Sequence, residues 1–220
     1  MALAIFDLDN TLIVDDSDHL WGEYLAEQGV VDGAHYREQN DRFLHEYQQG
    51  TLDIHEFLRF SLRVLAEHEP GELARLRAGF IERKILPIVA PRAPGLLARH
   101  REAGDYLMII TATNRFVTEP IANMLGVDTL IATEPEKNGE RYTGEVTGTP
   151  CFREGKVERL GQWLAQNDSD LEGASFYSDS HNDLPLLERV TYPTAVDPDP
   201  VLRETAETRG WPIITLRHDD

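Results

Sequence analysis

Leu3-Ala4-Ile5-Phe6-Asp7-Leu8-Asp9-Asn10-Thr11 is the stretch whose reading decides the fold. Four apolar residues closed by a polar cluster predict a short buried strand, of the kind found inside parallel sheets. Two carboxylates, Asp7 and Asp9, then stand two positions apart at the carboxyl end of that strand. In an open parallel sheet this is the edge where ligands bind. Alternation along an extended backbone points both side chains the same way, so both can address one ligand. Two buried acids side by side repel, and one would protonate, so the pair implies a bound divalent cation.

Working outward, the chain after Pro91 alternates helical and strand-like patterns, which predicts an α/β fold with a doubly wound parallel sheet. A helix over 93–103 precedes a strand over 106–110, and a helix over 118–125 precedes a short strand over 129–132. The spacing of Arg141-Tyr142-Thr143 and Glu145-Val146-Thr147 around Gly144 suggests a hairpin. A helix over 156–166 leads to a strand over 174–178, and strands over 191–196 and 212–216 complete the sheet. Residues 15–89, by contrast, read as consecutive helices. Ser17 or Asp18 can cap the first, which carries Leu20, Trp21, Tyr24 and Leu25 on one face. The second carries Tyr36, Phe43, Leu44 and Tyr47 and stops at Gly50. Asp53 with Glu56 resembles a capping box for a third, with the stripe Ile54, Phe57, Leu58, Leu62 and Leu65, broken by Pro70-Gly71. A fourth carries Leu73, Leu76, Phe80, Ile81 and Ile85. The expected organisation is a Rossmann-like core from residues 1–14 and 90–220, with a helical cap domain over 15–89 inserted between.

Composition narrows the partners. With 21 basic and 39 acidic residues among 220, the net charge is −18, which disfavours nucleic acid and anionic membranes. An anionic phosphate ester would also be repelled at long range, so a phosphate site has to be made attractive locally. Cys151 is the single cysteine, no disulfide within the chain is possible, and a reducing, cytoplasmic setting is expected. No segment approaches the apolar length of a membrane span, and the opening residues lack the basic region of a signal peptide. Position 157 is Val, so Cys151 lacks the arginine that a Cys-based phosphatase loop places six residues on.

Three further motifs follow the first in order. The strand over 106–110 ends in Thr111-Ala112-Thr113-Asn114, Lys156 opens a helix, and the strand over 174–178 ends in Asp179-Ser180-His181-Asn182-Asp183. The ordered set, from Asp7 to Asp183, resembles the haloacid dehalogenase superfamily of phosphohydrolases. The helical insertion between the first two motifs resembles the C1 cap of the phosphoserine-phosphatase-like branch, subfamily IB. The resemblance implies hydrolysis of a small phosphomonoester through an aspartyl-phosphate intermediate, with Mg²⁺ as cofactor. Asp7 is then the nucleophile and Asp9 the general acid and base. The Thr111 hydroxyl and the Ala112 N–H bind phosphate oxygens, while Lys156 neutralises both phosphate and Asp7. Mg²⁺ is expected on Asp7, the Asp9 carbonyl and Asp179, with Asp183 orienting a metal-bound water or holding Lys156. Asn182 is either a phosphate or substrate contact or a helix cap, and Thr11 either a site hydroxyl or a turn cap. His19, His55 and His181 lie near these elements.

The resemblance to phosphoserine phosphatases is incomplete. They carry a Glu nine positions after the nucleophile for the substrate ammonium, where this chain has Asp16. Their carboxylate-binding cap Arg has no clear counterpart, although Arg59 and Arg63 are candidates. Thr111-Ala112-Thr113-Asn114 and Ser178-Asp179-Ser180 also depart from the branch's Ser-Gly-Gly and Gly-Asp-Gly. These departures look like a bacterial group resembling histidinol-phosphate phosphatases, whose substrate has an ammonium and no carboxylate. Asp15, Asp16 and Asp18 form an acidic cluster suited to such a cation, or cap the helix near His19. Phosphoserine is the alternative substrate. In a different class, a receiver-like regulatory domain also gathers acids around Mg²⁺ on such a sheet, but gives no reason for Asp9 or the long insertion.

Overall fold

The computed structural model describes residues 2–217. In chain order its elements are β1 (Leu3–Phe6), α1 (Ser17–Glu27), α2 (Gly33–Gln48), α3 (Ile54–Ser61), α4 (Arg63–Glu67), α5 (Pro70–Phe80), α6 (Ala93–Ala103), β2 (Tyr106–Asn114), α7 (Arg115–Leu125), β3 (Thr129–Asn138), β4 (Arg141–Thr147), α8 (Glu154–Gln166), β5 (Ser175–Ser178), α9 (Leu184–Leu187), β6 (Tyr192–Val196), α10 (Pro200–Arg209) and β7 (Ile213–Ile214). The seven strands form one sheet in the order β4-β3-β2-β1-β5-β6-β7. All pairs are parallel except β3 with β4. β1 is central because all four of its side chains are buried, Leu3 and Ile5 on one face and Ala4 and Phe6 on the other. Its neighbours β2 and β5 come from opposite directions in the strand order, so a crevice opens where β1 ends.

Residues 17–80 contribute five helices and no strand. The chain leaves and re-enters the sheet layer side by side: Ile13 pairs with Val89, the Val14 N–H donates to Ile88 O at 2.8 Å, and the Ala90 N–H to Leu12 O at 2.9 Å. The base of the helical segment is fixed to the sheet layer through Trp21 of α1, 1% exposed. Its ring packs edge-on against Phe80 at 5.2 Å and Phe116 of α7 at 5.7 Å. Truncating such a buried aromatic costs about 3–5 kcal/mol, so this joint is not free to swing. Among the described residues no helix is long and apolar enough to cross a membrane.

Several local expectations are corrected. The hairpin turns at Gly139-Glu140, between paired Asn138 and Arg141, with Gly139 at φ 63°. Gly144 lies inside β4 at φ 89°, where a Cβ would come within 3.4 Å of Ala66 beside α4, so it answers a close approach of chain and not a turn. The third predicted helix breaks at Leu62 into α3 and α4, and Pro70 starts α5 as its first residue. α5 ends at Phe80 and passes into one π turn over Ile81–Ile85. α7 starts at Arg115, capped by Asn114, three residues earlier than its apolar stripe suggested.

Candidate active site

The end of β1 places Asp7, 3% exposed, beneath the crevice, where its Oδ1 accepts from Lys156 Nζ at 2.8 Å. Lys156, 2% exposed, also donates to Asp183 at 2.8 Å, and Asp183 Oδ2 accepts from Ser178 Oγ at 2.7 Å. The lysine reaches this point from the first turn of α8. That turn is seated against the preceding loop, where any Cβ on Gly155 would collide with the Pro150 carbonyl. Burial alone disfavours the Lys156 ammonium, but Asp183 and Asp7 more than reverse this and hold it protonated far above its ordinary range. Asp7 is pushed up to about 7, first by burial, against the pull of Lys156 and with Asp183 and Asp9 adding to the rise.

Asp9 is held from both sides. Its Oδ1 accepts the Ser17 N–H at 2.7 Å, and its Oδ2 accepts the hydroxyls of Thr113 at 2.9 Å and Thr111 at 3.3 Å. Burial raises its pKa despite these donors, which suits a group that must carry a proton at one stage and release it at another. The register between β2 and β3 shifts between Ile110 and Asn114, which frees this end of β2 from regular pairing. Thr11 settles into a bridging role: its hydroxyl donates to Asp179 Oδ1 at 3.2 Å and accepts the Asp179 N–H at 3.1 Å. Asp179 is raised well above the usual carboxylate range by burial, then by Asp7 and Asp183.

The structure thus brings Asp7, Asp9, Thr111 and Ala112 to one pocket, with Lys156 and Asp183 behind Asp7. Asp179 faces an adjoining cleft that shares Tyr47 with that pocket. Asn182 is buried and makes a strap: its Nδ2 donates to Tyr47 O at 3.1 Å, and its Oδ1 accepts from Arg153 Nε at 2.9 Å. Arg153, at φ 51°, also donates to the Gly50 carbonyl just past α2. Hard oxygen donors on Asp7, Asp179 and Asp183 share a single buried cation among the described residues, Lys156, and Asp7 and Asp179 are pushed up, by burial first and then by the neighbouring acids. That donor set and its uncompensated charge fit a hard divalent cation such as Mg²⁺.

The far wall is supplied by the helical segment. Phe43, Tyr47 and Phe57 line it, joined by Phe152 from the loop before α8. At one corner stand Asp16 and Asp18. Asp16 caps α1, its Oδ1 accepting the N–H groups of Asp18 at 3.0 Å and His19 at 2.8 Å, and burial first, then Asp9, pushes it up to about 7. No Arg or Lys lines this pocket; Arg59 and Arg63 are exposed elsewhere, the latter 3.3 Å from Glu67. His19 lines the pocket, His55 is exposed on α3, and His181 pairs with Asp199 at 2.7 Å. Cys151 is buried, its thiol pushed up to about 12 by burial, as an apolar residue would sit. Sequence reasoning missed Thr113, Ser178 and Arg153. The period of two that pairs Asp7 with Asp9 would have found Thr113 beside Thr111, whereas the Arg153 contact joins residues 103 positions apart and leaves no local signal.

A family model described as haloacid dehalogenase-like hydrolase matches residues 4–188. The chain belongs to this family. A curated histidinol-phosphatase from Neisseria meningitidis serogroup C (strain 8013) is 44% identical over 98% of this chain and 99% of its own length. Among solved structures, a protein of unknown function from Bordetella pertussis Tohama I superposes with a TM-score of 0.92 at 47% identity, covering 98% of both chains. A phosphoserine phosphatase in the form of a phospho-aspartyl intermediate analogue shares the fold, with a TM-score of 0.72 at 18% identity over 99% of this chain and 94% of that one. This member of the haloacid dehalogenase-like hydrolases is a phosphomonoester hydrolase.

Proposed function

We propose that the chain hydrolyses a small amino-alcohol phosphate, histidinol phosphate being the best match, through an aspartyl-phosphate intermediate. The observation that carries this reading is the lining of the pocket: Asp16, Asp18 and aromatic rings together with the Asp7 and Asp9 pair, and no Arg or Lys to receive a carboxylate. The 44% identity to a histidinol-phosphatase supports it. Residues 15–89 act as a cap over a core formed by 1–14 and 90–220, and their side chains wall the pocket around a bound ester.

In this reading an Asp7 oxygen attacks phosphorus while the bond to the ester oxygen breaks, and Asp9 gives that leaving oxygen its proton. Water then attacks the phosphoryl group, Asp9 takes the water's proton back, and Asp7 is freed with inorganic phosphate. The Thr111 hydroxyl and Ala112 N–H hold phosphate oxygens, and Lys156 balances charge on Asp7 and the phosphoryl group. Asp7, the Asp9 carbonyl and Asp179 hold Mg²⁺, with Asp183 behind them, and the ion supplies charge that lets a carboxylate approach a phosphate dianion. Asn182 keeps the end of α2 over the site. The test is phosphate release by the purified chain with Mg²⁺ from histidinol phosphate, O-phosphoserine and a neutral alkyl phosphate. The expected kcat/KM for histidinol phosphate exceeds that for phosphoserine by at least about tenfold, or 1.4 kcal/mol; phosphoserine turned over as well or better would sink the proposal.

A further inference from the structure

Two acids at the start of α1, Asp16 and Asp18, line the pocket, and they are not equivalent. Asp16 already accepts two backbone N–H groups and has a structural task as the cap of α1. Asp18 has none. It is 7% exposed and lines the pocket, and its side chain makes no hydrogen bond or ion pair with any described residue; its Oδ2 is shielded from solvent and meets no donor. Burial of a carboxyl group without a partner is destabilising, and the one favourable feature here is its position in the first turn of a helix. Its neighbours, Asp16 and Asp9, make its ionisation harder still. A residue that costs stability and uses none of its bonding capacity inside the protein is positioned for a donor that arrives from outside.

We infer that Asp18 is the specificity-determining residue of this pocket, its carboxyl group receiving the substrate's ammonium, while Asp16 fixes the helix turn that presents it. This deepens the amino-alcohol phosphate reading and rests on it. Phe43 and Phe57 line the same pocket, and His19 holds its Nδ1 against the Asn40 amide at 3.1 Å. A carboxylate-bearing substrate gains nothing from Asp18, because the same charge that attracts its ammonium repels its acid.

The experiment compares two esters with one skeleton, histidinol phosphate and 3-(imidazol-4-yl)propyl phosphate, which lacks the amine, on wild type, Asp18→Asn, Asp18→Glu and Asp16→Asn. The quantity read is the ratio of kcat/KM for the first ester to that for the second. In Asp18→Asn this ratio falls at least tenfold, mainly through KM, whereas Asp18→Glu keeps most of it and Asp16→Asn changes it less than about threefold while lowering Tm. Asp18→Asn raises Tm or leaves it level, which a structural acid would not allow. A wild type without preference for the amine-bearing ester overturns both the substrate reading and the role of Asp18. A wild-type preference that survives in Asp18→Asn, or that Asp16→Asn removes instead, overturns Asp18 alone. A lowered Tm in Asp18→Asn with equal loss on both esters also overturns it, by making Asp18 a structural residue.

Discussion

The end of β1 and the start of α1 bury acids to a similar depth and treat them in opposite ways. Asp7, 3% exposed, sits against a buried ammonium that also serves Asp183; Asp18, 7% exposed, has no cation and no donor. A buried acid with an ammonium against it has part of its cost offset by the fold itself. An unpaired buried acid is the reverse, a charge whose cost is lifted only by a ligand. The difference teaches where chemistry ends and recognition begins: the acids at the sheet edge share an ammonium supplied by the fold, and Asp18 at the start of α1 has none.

The sharpest way to break that contrast is at its paired end. Asp7→Asn keeps shape and loses the nucleophile, and turnover is expected to fall by at least about 10⁴-fold, as for other nucleophile deletions. The fold should remain, and acid-quenched wild type should carry a phosphoryl label on Asp7 that the variant lacks. Near-normal turnover by the variant, or no label on wild type, would remove the covalent mechanism.

Lys156→Met tests whether the pairing matters to the fold. Removing one partner of a buried ion cluster costs about 3–5 kcal/mol, and the kcat loss from a missing charge donor is about 10²–10³-fold. Chemical denaturation should show Lys156→Met destabilised and Asp18→Asn level or stabilised. If both variants shift the same way, the distinction between a paired and an unpaired acid does not hold.

The smallest effect is the pH dependence of the metal-free protein. Asp7 and Asp16 both lie near 7 in the folded chain, above the usual carboxylate value of 3.8. Each therefore binds more protons folded than unfolded across about pH 4 to 7, so stability falls as pH rises through that window. Thermal melts in a chelator should lose a few degrees between pH 5 and 7.5, on the order expected for 1–2 kcal/mol, and Mg²⁺ should restore much of the loss at the upper end. Stability that rises with pH in the chelator would mean that these acids are ionised and satisfied without metal.

Much of this was legible because the informative residues act through local geometry. The run before Asp7 is apolar on both faces and reads as a central strand, and strand ends locate Thr111 and Asp179 without knowledge of the rest of the chain. The helical segment was legible in outline from its apolar stripes, but not its breaks: Leu62 continues the stripe of α3, and only its packing shows that α3 stops before it. The hairpin was misplaced because Gly144 and Gly139 both permit positive φ, and the choice between them depends on how close α4 comes, a tertiary fact. The unequal tasks of Asp16 and Asp18 were hidden for the same kind of reason. Which of two nearby acids caps a helix depends on where the helix begins, and α1 begins one residue earlier than the stripe alone required.

The far wall of the pocket, apart from Phe152, comes from one unbroken stretch, Asp16 to Phe57, whereas the reacting groups come from four separated segments spread between Asp7 and Asp183. Such a layout is modular in the evolutionary sense. A single recombination or a few neighbouring substitutions in that stretch exchange one set of wall residues for another, while the scattered parts of the reaction centre are inherited unchanged. New substrates are thus within a short mutational distance of the old one, and drift in the wall leaves the hydrolytic power intact for selection to redirect.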